Sequence, residues 1–130
     1  MDKPTELIRG EIADYYLSEE GILFSYSKSI KRTVELIERN VVLVKEITGN
    51  KPVPLLIHLV NSPIPEKETQ RFSKEKLPEI YSAMAMVSKP GLSAFIMKIL
   101  FQFQKPPIPM QSFTDEQKAL DWLKSLSVEQ

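Results

Sequence analysis

The side chains able to do chemistry in this sequence are few, and they are scattered. The chain has one histidine, His58, set inside an apolar run, and no cysteine at all. No cysteine, acid or second histidine stands near His58 at metal-ligand spacing, so the residue reads as a packed histidine with its ring nitrogens satisfied by neighbours. The carboxylates Glu66, Glu68, Glu75 and Glu79 are the other candidates for acid–base work. A working pair needs environments that drive two pKa values apart. These four instead alternate with Lys67, Arg71, Lys74 and Lys76, the pattern of a solvated mixed-charge surface. The four glycines, Gly10, Gly21, Gly49 and Gly91, are spread as punctuation. They form no phosphate-cradling loop and no dinucleotide fingerprint, and no nucleophile elbow occurs. The expectation is therefore a protein without catalytic residues, metal or cofactor. Glu66 and His58 would be the first positions to test were an activity found.

Bulk properties narrow the classes further. Seventeen basic and seventeen acidic side chains cancel over 130 residues. A general nucleic-acid binder needs a cationic surplus to displace counterions, so nucleic acid is not an expected partner. No run approaches the ~20 apolar residues of a spanning helix. The charged start (Asp2, Lys3, Glu6, Arg9) does not read as a signal peptide. The expected location is the cytoplasm, and the expected organisation is a single domain over residues 1–130 with its core at about 5–126.

Positioning falls to a sheet built around Lys51 to Val60, K-P-V-P-L-L-I-H-L-V. A strand wet on one face alternates apolar and polar residues. Here Leu55, Leu56, Ile57, Leu59 and Val60 leave no such alternation, which predicts a central strand covered on both faces. Upstream, Glu6–Leu17 and Ile22–Tyr26 flank the turn Ser18-Glu19-Glu20-Gly21. They predict an antiparallel hairpin whose first strand lies at the sheet edge, with a bend at Gly10. A helix follows, N-capped by Ser29, with apolar residues at Ile30, Val34, Ile37, Val41 and Val44, and is stopped by Gly49. After the central strand, Pro65 opens a polar helix at Glu66 that Pro78 closes. Tyr81–Val87 reads as a second buried strand, Gly91–Phe103 as an apolar helix and Met110–Phe113 as a last strand. Thr114-Asp115-Glu116-Gln117 reads as the capping box of a closing helix that turns Ala119, Leu120, Leu123 and Leu126 inward. The sum is an α/β fold with a mixed sheet of about five strands, an N-terminal antiparallel hairpin, then parallel βα units, and about four helices.

In that order three stretches resemble the SpoIIAA-like group, which includes the STAS domains and small uncharacterised bacterial STAS-like proteins. They are E-G-I-L-F-S-Y (Glu20 to Tyr26), K-P-V-P-L-L-I-H-L-V (Lys51 to Val60) and Q-K-P-P-I-P-M-Q-S-F-T-D-E-Q-K-A-L-D-W-L (Gln104 to Leu123). The resemblance implies a non-catalytic regulatory or protein-interaction module. In the regulators of that group a serine at the start of the helix after the central strand is phosphorylated. Here the matching stretch is Pro65-Glu66-Lys67-Glu68-Thr69, with no serine in place, so the switch does not carry over. Thr69 and Ser73 are the nearby hydroxyls left as regulatory candidates.

The Gly91–Phe103 segment stands out because its apolar residues occupy the whole circumference of a helix. One stripe can meet the sheet. The second, with Phe95, Ile99, Leu100, Phe101 and Phe103, needs another cover: the proline-rich connector, a second copy of the chain, or an apolar ligand with Met84, Met86, Met97 and Met110 as adaptable lining. The expected partners are thus the protein itself as a homodimer, an unidentified protein, or a lipid or other apolar small molecule.

Overall fold

The computed structural model describes residues 7–92 and 106–128. A six-stranded sheet carries the fold, with strands in chain order from one edge to the other. These are β1 (Ile8–Arg9), β2 (Ala13–Leu17), β3 (Leu23–Ser27), β4 (Val53–His58), β5 (Tyr81–Val87) and β6 (Met110–Phe113). The first two pairings are antiparallel and the remaining three parallel. Helices α1 (Val34–Thr48), α2 (Lys67–Ile80) and α3 (Glu116–Val128) flank the sheet, and residues 90–92 are also helical.

The strand count exceeds the expected five because the first strand is two. Gly10 sits where a Cβ would come within 2.5 Å of the Ala13 carbonyl oxygen and 2.9 Å of Leu43 Cδ2. The chain folds tightly there, so Ile8–Arg9 turns back to pair with Asp14–Tyr15. The short, exposed β1 is the sheet edge, and β2 lies one place inside it.

β4 is central and shielded on both sides, as its unbroken apolar run predicts. Leu55 packs into one core with Tyr15, Val41, Val44, Ile80 and Met84, beneath α1 and α2. Its neighbour Leu56 packs into the other with Phe24, Ala83, Ala85, Ala119 and Leu123, beneath α3. Successive side chains of a strand point to opposite faces, so two adjacent leucines at 1% and 0% exposure require two covered faces.

Three helix ends depart from the sequence reading. α1 begins at Val34, not near Ile30: Thr33 is its N-cap, with Oγ1 accepting from the Leu36 N–H at 3.2 Å. Ser29 instead donates its hydroxyl to the Asn61 carbonyl at 2.7 Å, tying two loops together. α2 runs through Pro78 to Ile80 and passes into β5 without a connecting residue. At α3 the capping side chain is Asp115, whose Oδ1 accepts from the Gln117 N–H at 3.1 Å, in place of Thr114. Gly49 ends α1 as expected, at φ +72° with its N–H on the Lys45 carbonyl, the left-handed stop that glycine adopts freely.

Candidate functional site

The two faces of the sheet hold different chemistry. Beneath α1 and α2 the layers do not close completely, leaving a cavity of about 320 Å³. Leu55, Ile57 and Met84 of the sheet floor it, with Ile37 and Val41 of α1 and Leu77 of α2 against them. Leu59, Val60, Ser62, Pro63 and Pro65, from the chain leaving the carboxyl end of β4, complete the lining. Crevices beyond the carboxyl ends of strands are where open α/β sheets most often hold ligands. The volume falls at the low end of the roughly 300–1,000 Å³ of small-molecule sites.

Most of the polar groups of this cavity come from β2, β3, the stretch before α1 and α1 itself, with Tyr81 of β5 beside them and Ser73 and Lys76 on α2. Tyr15 is 2% exposed and donates its hydroxyl to Asn40 Oδ1 at 2.8 Å. Tyr81 and Ser25 hydrogen-bond to the same phenol. Burial pushes the ionisation of both Tyr15 and Tyr81 up from the ordinary phenol value, since neither anion could be solvated there. Arg32 stands in the stretch between β3 and α1. Its Nη1 donates to the carbonyls of Lys28 at 2.7 Å and Ile30 at 2.8 Å, and its Nη2 to that of Ile12 at 2.9 Å. Burial draws the guanidinium below the usual arginine range, and the field of Tyr15 acts the other way. Lys76, the other cation in the lining, reaches Glu79 Oε2 at 3.3 Å. No carboxylate side chain lines the cavity among the described residues.

On the opposite face, the half-buried Tyr16, Tyr26 and His58 and the buried Phe24 form a ladder of rings across β2, β3 and β4. Tyr16 stacks on Phe24 at 4.7 Å, and Tyr26 on His58 at 5.0 Å with the rings 8° from parallel. His58 Nε2 lies 2.6 Å from Glu116 Oε1, at the start of α3. This is the satisfied histidine expected from sequence, although its partner is an acid 58 residues away that spacing could not reveal. Burial, with Tyr16 and Glu116 adding to it, pushes the Tyr26 phenol up to about 12.

The carboxylates weighed in the sequence do not converge. Glu66 pairs with Lys31 at 3.4 Å. Glu79 pairs with Lys45 at 3.1 Å and with Lys76, which together hold its carboxyl below the usual range. Thr69 is buried in the first turn of α2, and Ser73, one turn on, lines the cavity. Phe95, Ile99, Leu100, Phe101 and Phe103 lie outside the described residues, as does Met97. Met84 lines the cavity, as one of the methionines proposed for such a role. The remaining lining residues were missed in the sequence because they come from separate elements and loops, and no one stretch holds more than a few of them. No cluster of His, Cys, Asp or Glu able to hold a metal occurs among the described residues, and no helix among them is long and apolar enough to cross a membrane.

This arrangement of sheet and helices is a SpoIIAA-like fold. The chain is similar to a crystal structure of an uncharacterised protein of the DUF3478 family from Shewanella loihica PV-4, described as having that fold. The TM-score is 0.60 and the sequence identity 19%, with 95% of this chain and 99% of the other covered. The family model described as a domain of unknown function, DUF7793, matches residues 15–127, and the chain belongs to that family. No curated protein matches it.

Proposed function

We propose that this protein is a STAS-like module without catalysis of its own, and that it acts by holding an apolar small molecule between the helical layer and the sheet. The observation that carries this reading is the 320 Å³ space under α1 and α2. The space is a half-open cleft whose lining is mostly apolar, and apolar surface left facing water in a concave place is what a small molecule gains by covering. Its polar groups are concentrated around Tyr15, Asn40 and Arg32, the composition of sites that take a greasy molecule and orient it by a few contacts. The reading without catalysis draws on the two acid–base candidates not pairing with each other: His58 pairs with Glu116 and stacks on Tyr26, and Glu66 pairs with Lys31 on the surface.

A second reading makes the protein an interaction module that pairs with another copy or with a different protein. It is supported by the edge strand β1, in which Ile8 is 36% exposed and which Leu7, 46% exposed, precedes. Such an edge offers backbone groups for strand addition. The sequence pattern of Phe95, Ile99, Leu100, Phe101 and Phe103 supports it independently.

Native mass spectrometry of protein purified from its own cell separates the two. An adduct of small-molecule mass that disappears in Leu59→Trp, a variant that crowds the cavity, is the expected result. A bare dimer with no adduct would overturn the first reading in favour of the second.

A further inference from the structure

We infer that the cavity is built for an apolar chain that ends in a carboxylate, with Arg32 receiving the head group. The inference rests on the reading that the cavity takes an apolar small molecule, and adds to it the chemistry of the polar end. Among the described residues, every charged side chain in the lining is cationic. Lys76 is already answered by Glu79. Arg32 is not: it makes no ion pair among the described residues, and its recorded contacts are with neutral carbonyls.

Those carbonyls satisfy hydrogen bonds without supplying charge. A guanidinium has five N–H donors. Among the described residues Nη1 uses both of its own and Nη2 uses one, which leaves the Nε–H and one N–H on Nη2. Two donors are what a carboxylate takes in a bidentate pair. Asn40 adds to the same end, since its amide oxygen accepts from Tyr15 and its NH₂ donors meet no acceptor among the described residues. The unused polar capacity of the cavity is therefore mostly donor, beside a cation without a counter-charge.

Burial gives the missing anion its value. Desolvation already penalises the Arg32 cation, so a carboxylate arriving beside it would be worth more than at an exposed arginine. A cationic ligand would meet two positive groups and no acceptor charge. A neutral alcohol of the same length would keep the apolar contacts and lose the charge-assisted bonds.

The test compares octanoate with octan-1-ol on the full-length protein by isothermal titration calorimetry, near neutral pH and at low salt. Octanoate is expected to bind at least about tenfold more tightly, a difference of about 1.4 kcal/mol. In Arg32→Gln that preference should fall to within about twofold. Because Arg32 also ties three carbonyls, Arg32→Lys serves as a second variant: it keeps the charge without the fork and should retain part of the preference. Equal binding of both probes would overturn the carboxylate inference while leaving an apolar ligand in place. A preference that survives in a folded Arg32→Gln protein would overturn the assignment to Arg32. Binding of neither probe at millimolar concentration would overturn the inference together with the reading beneath it.

Discussion

The same strands build two unlike surfaces. On the side of α1 and α2 they present large groups, Tyr15, Leu55, Met84 and Met86, and still leave a void. On the side of α3 they present Ala83, Ala85 and Val87, and the helix answers with Ala119 at 0% exposure. The small residues of β5 and Ala119 let the helix approach the sheet closely there, while Phe24, Leu56 and Leu123 fill the rest of the same layer. Bulky residues on the other side hold α1 and α2 at a distance that their own volume does not fill. The lesson is that side-chain size does not measure how full a layer is. Separation of the layers decides that, and along β5 the larger residues, Met84 and Met86, stand on the emptier side.

A matched pair of enlargements should break or sharpen this contrast most. Ala119→Leu forces new atoms into the closed layer and is expected to cost about 1–3 kcal/mol. Ala13→Leu, on β2 beside the cavity, has room for the same atoms and should stay within about 1 kcal/mol. Chemical denaturation of both variants reads the difference, and equal costs would mean the void is not real space.

A smaller effect is expected from Tyr15→Phe. It removes the phenol that joins Asn40, Tyr81 and Ser25, leaving partners without their bond in a desolvated place. The expected loss is about 1–2 kcal/mol, read in the same denaturation experiment. A neutral result would show that water already serves those groups.

The smallest effect concerns the other face and appears only in alkali. The Tyr26 phenol is raised from 10.0 to about 12, so the unfolded chain ionises first. Between those values the unfolded state binds fewer protons than the folded one, and stability falls as pH rises. Below 10 the contribution is fully present. An absorbance titration of phenolate formation should show Tyr26 ionising near 12, and Tyr26→Phe should lessen the alkaline loss of stability. A midpoint at the ordinary phenol value would contradict the burial assigned to the aromatic ladder.

Much of the framework was legible because single residues announce it. Gly49 stops α1, the unbroken run of β4 demands two covered faces, and Tyr81–Val87 and Met110–Phe113 emerge as strands with the expected limits. What escaped was decided at a distance. Ser29 looks like a cap, yet Arg32 gathers the carbonyls of Lys28 and Ile30 and delays the helix to Thr33, an event that needs Ile12 from another element. Pro78 sits inside α2 although a proline at that place reads as a stop. The cavity was the least legible part. Tyr15 and Asn40 are 25 residues apart, and nothing in either stretch says that they meet. A void, moreover, has no residue of its own to leave a mark in a sequence.

The junction of α2 with β5 has a mechanical consequence. Ile80 is the last helical residue and Tyr81 the first of the strand, with the Tyr81 N–H on the Leu77 carbonyl. The helix is therefore clamped to the sheet at that end like a cantilever. Any swing that admits a guest beneath it must come from the other end, where the stretch 61–66 is pinned by side chains, Ser29 on the Asn61 carbonyl and Gln70 on that of Pro65, bonds that a rotamer change can release.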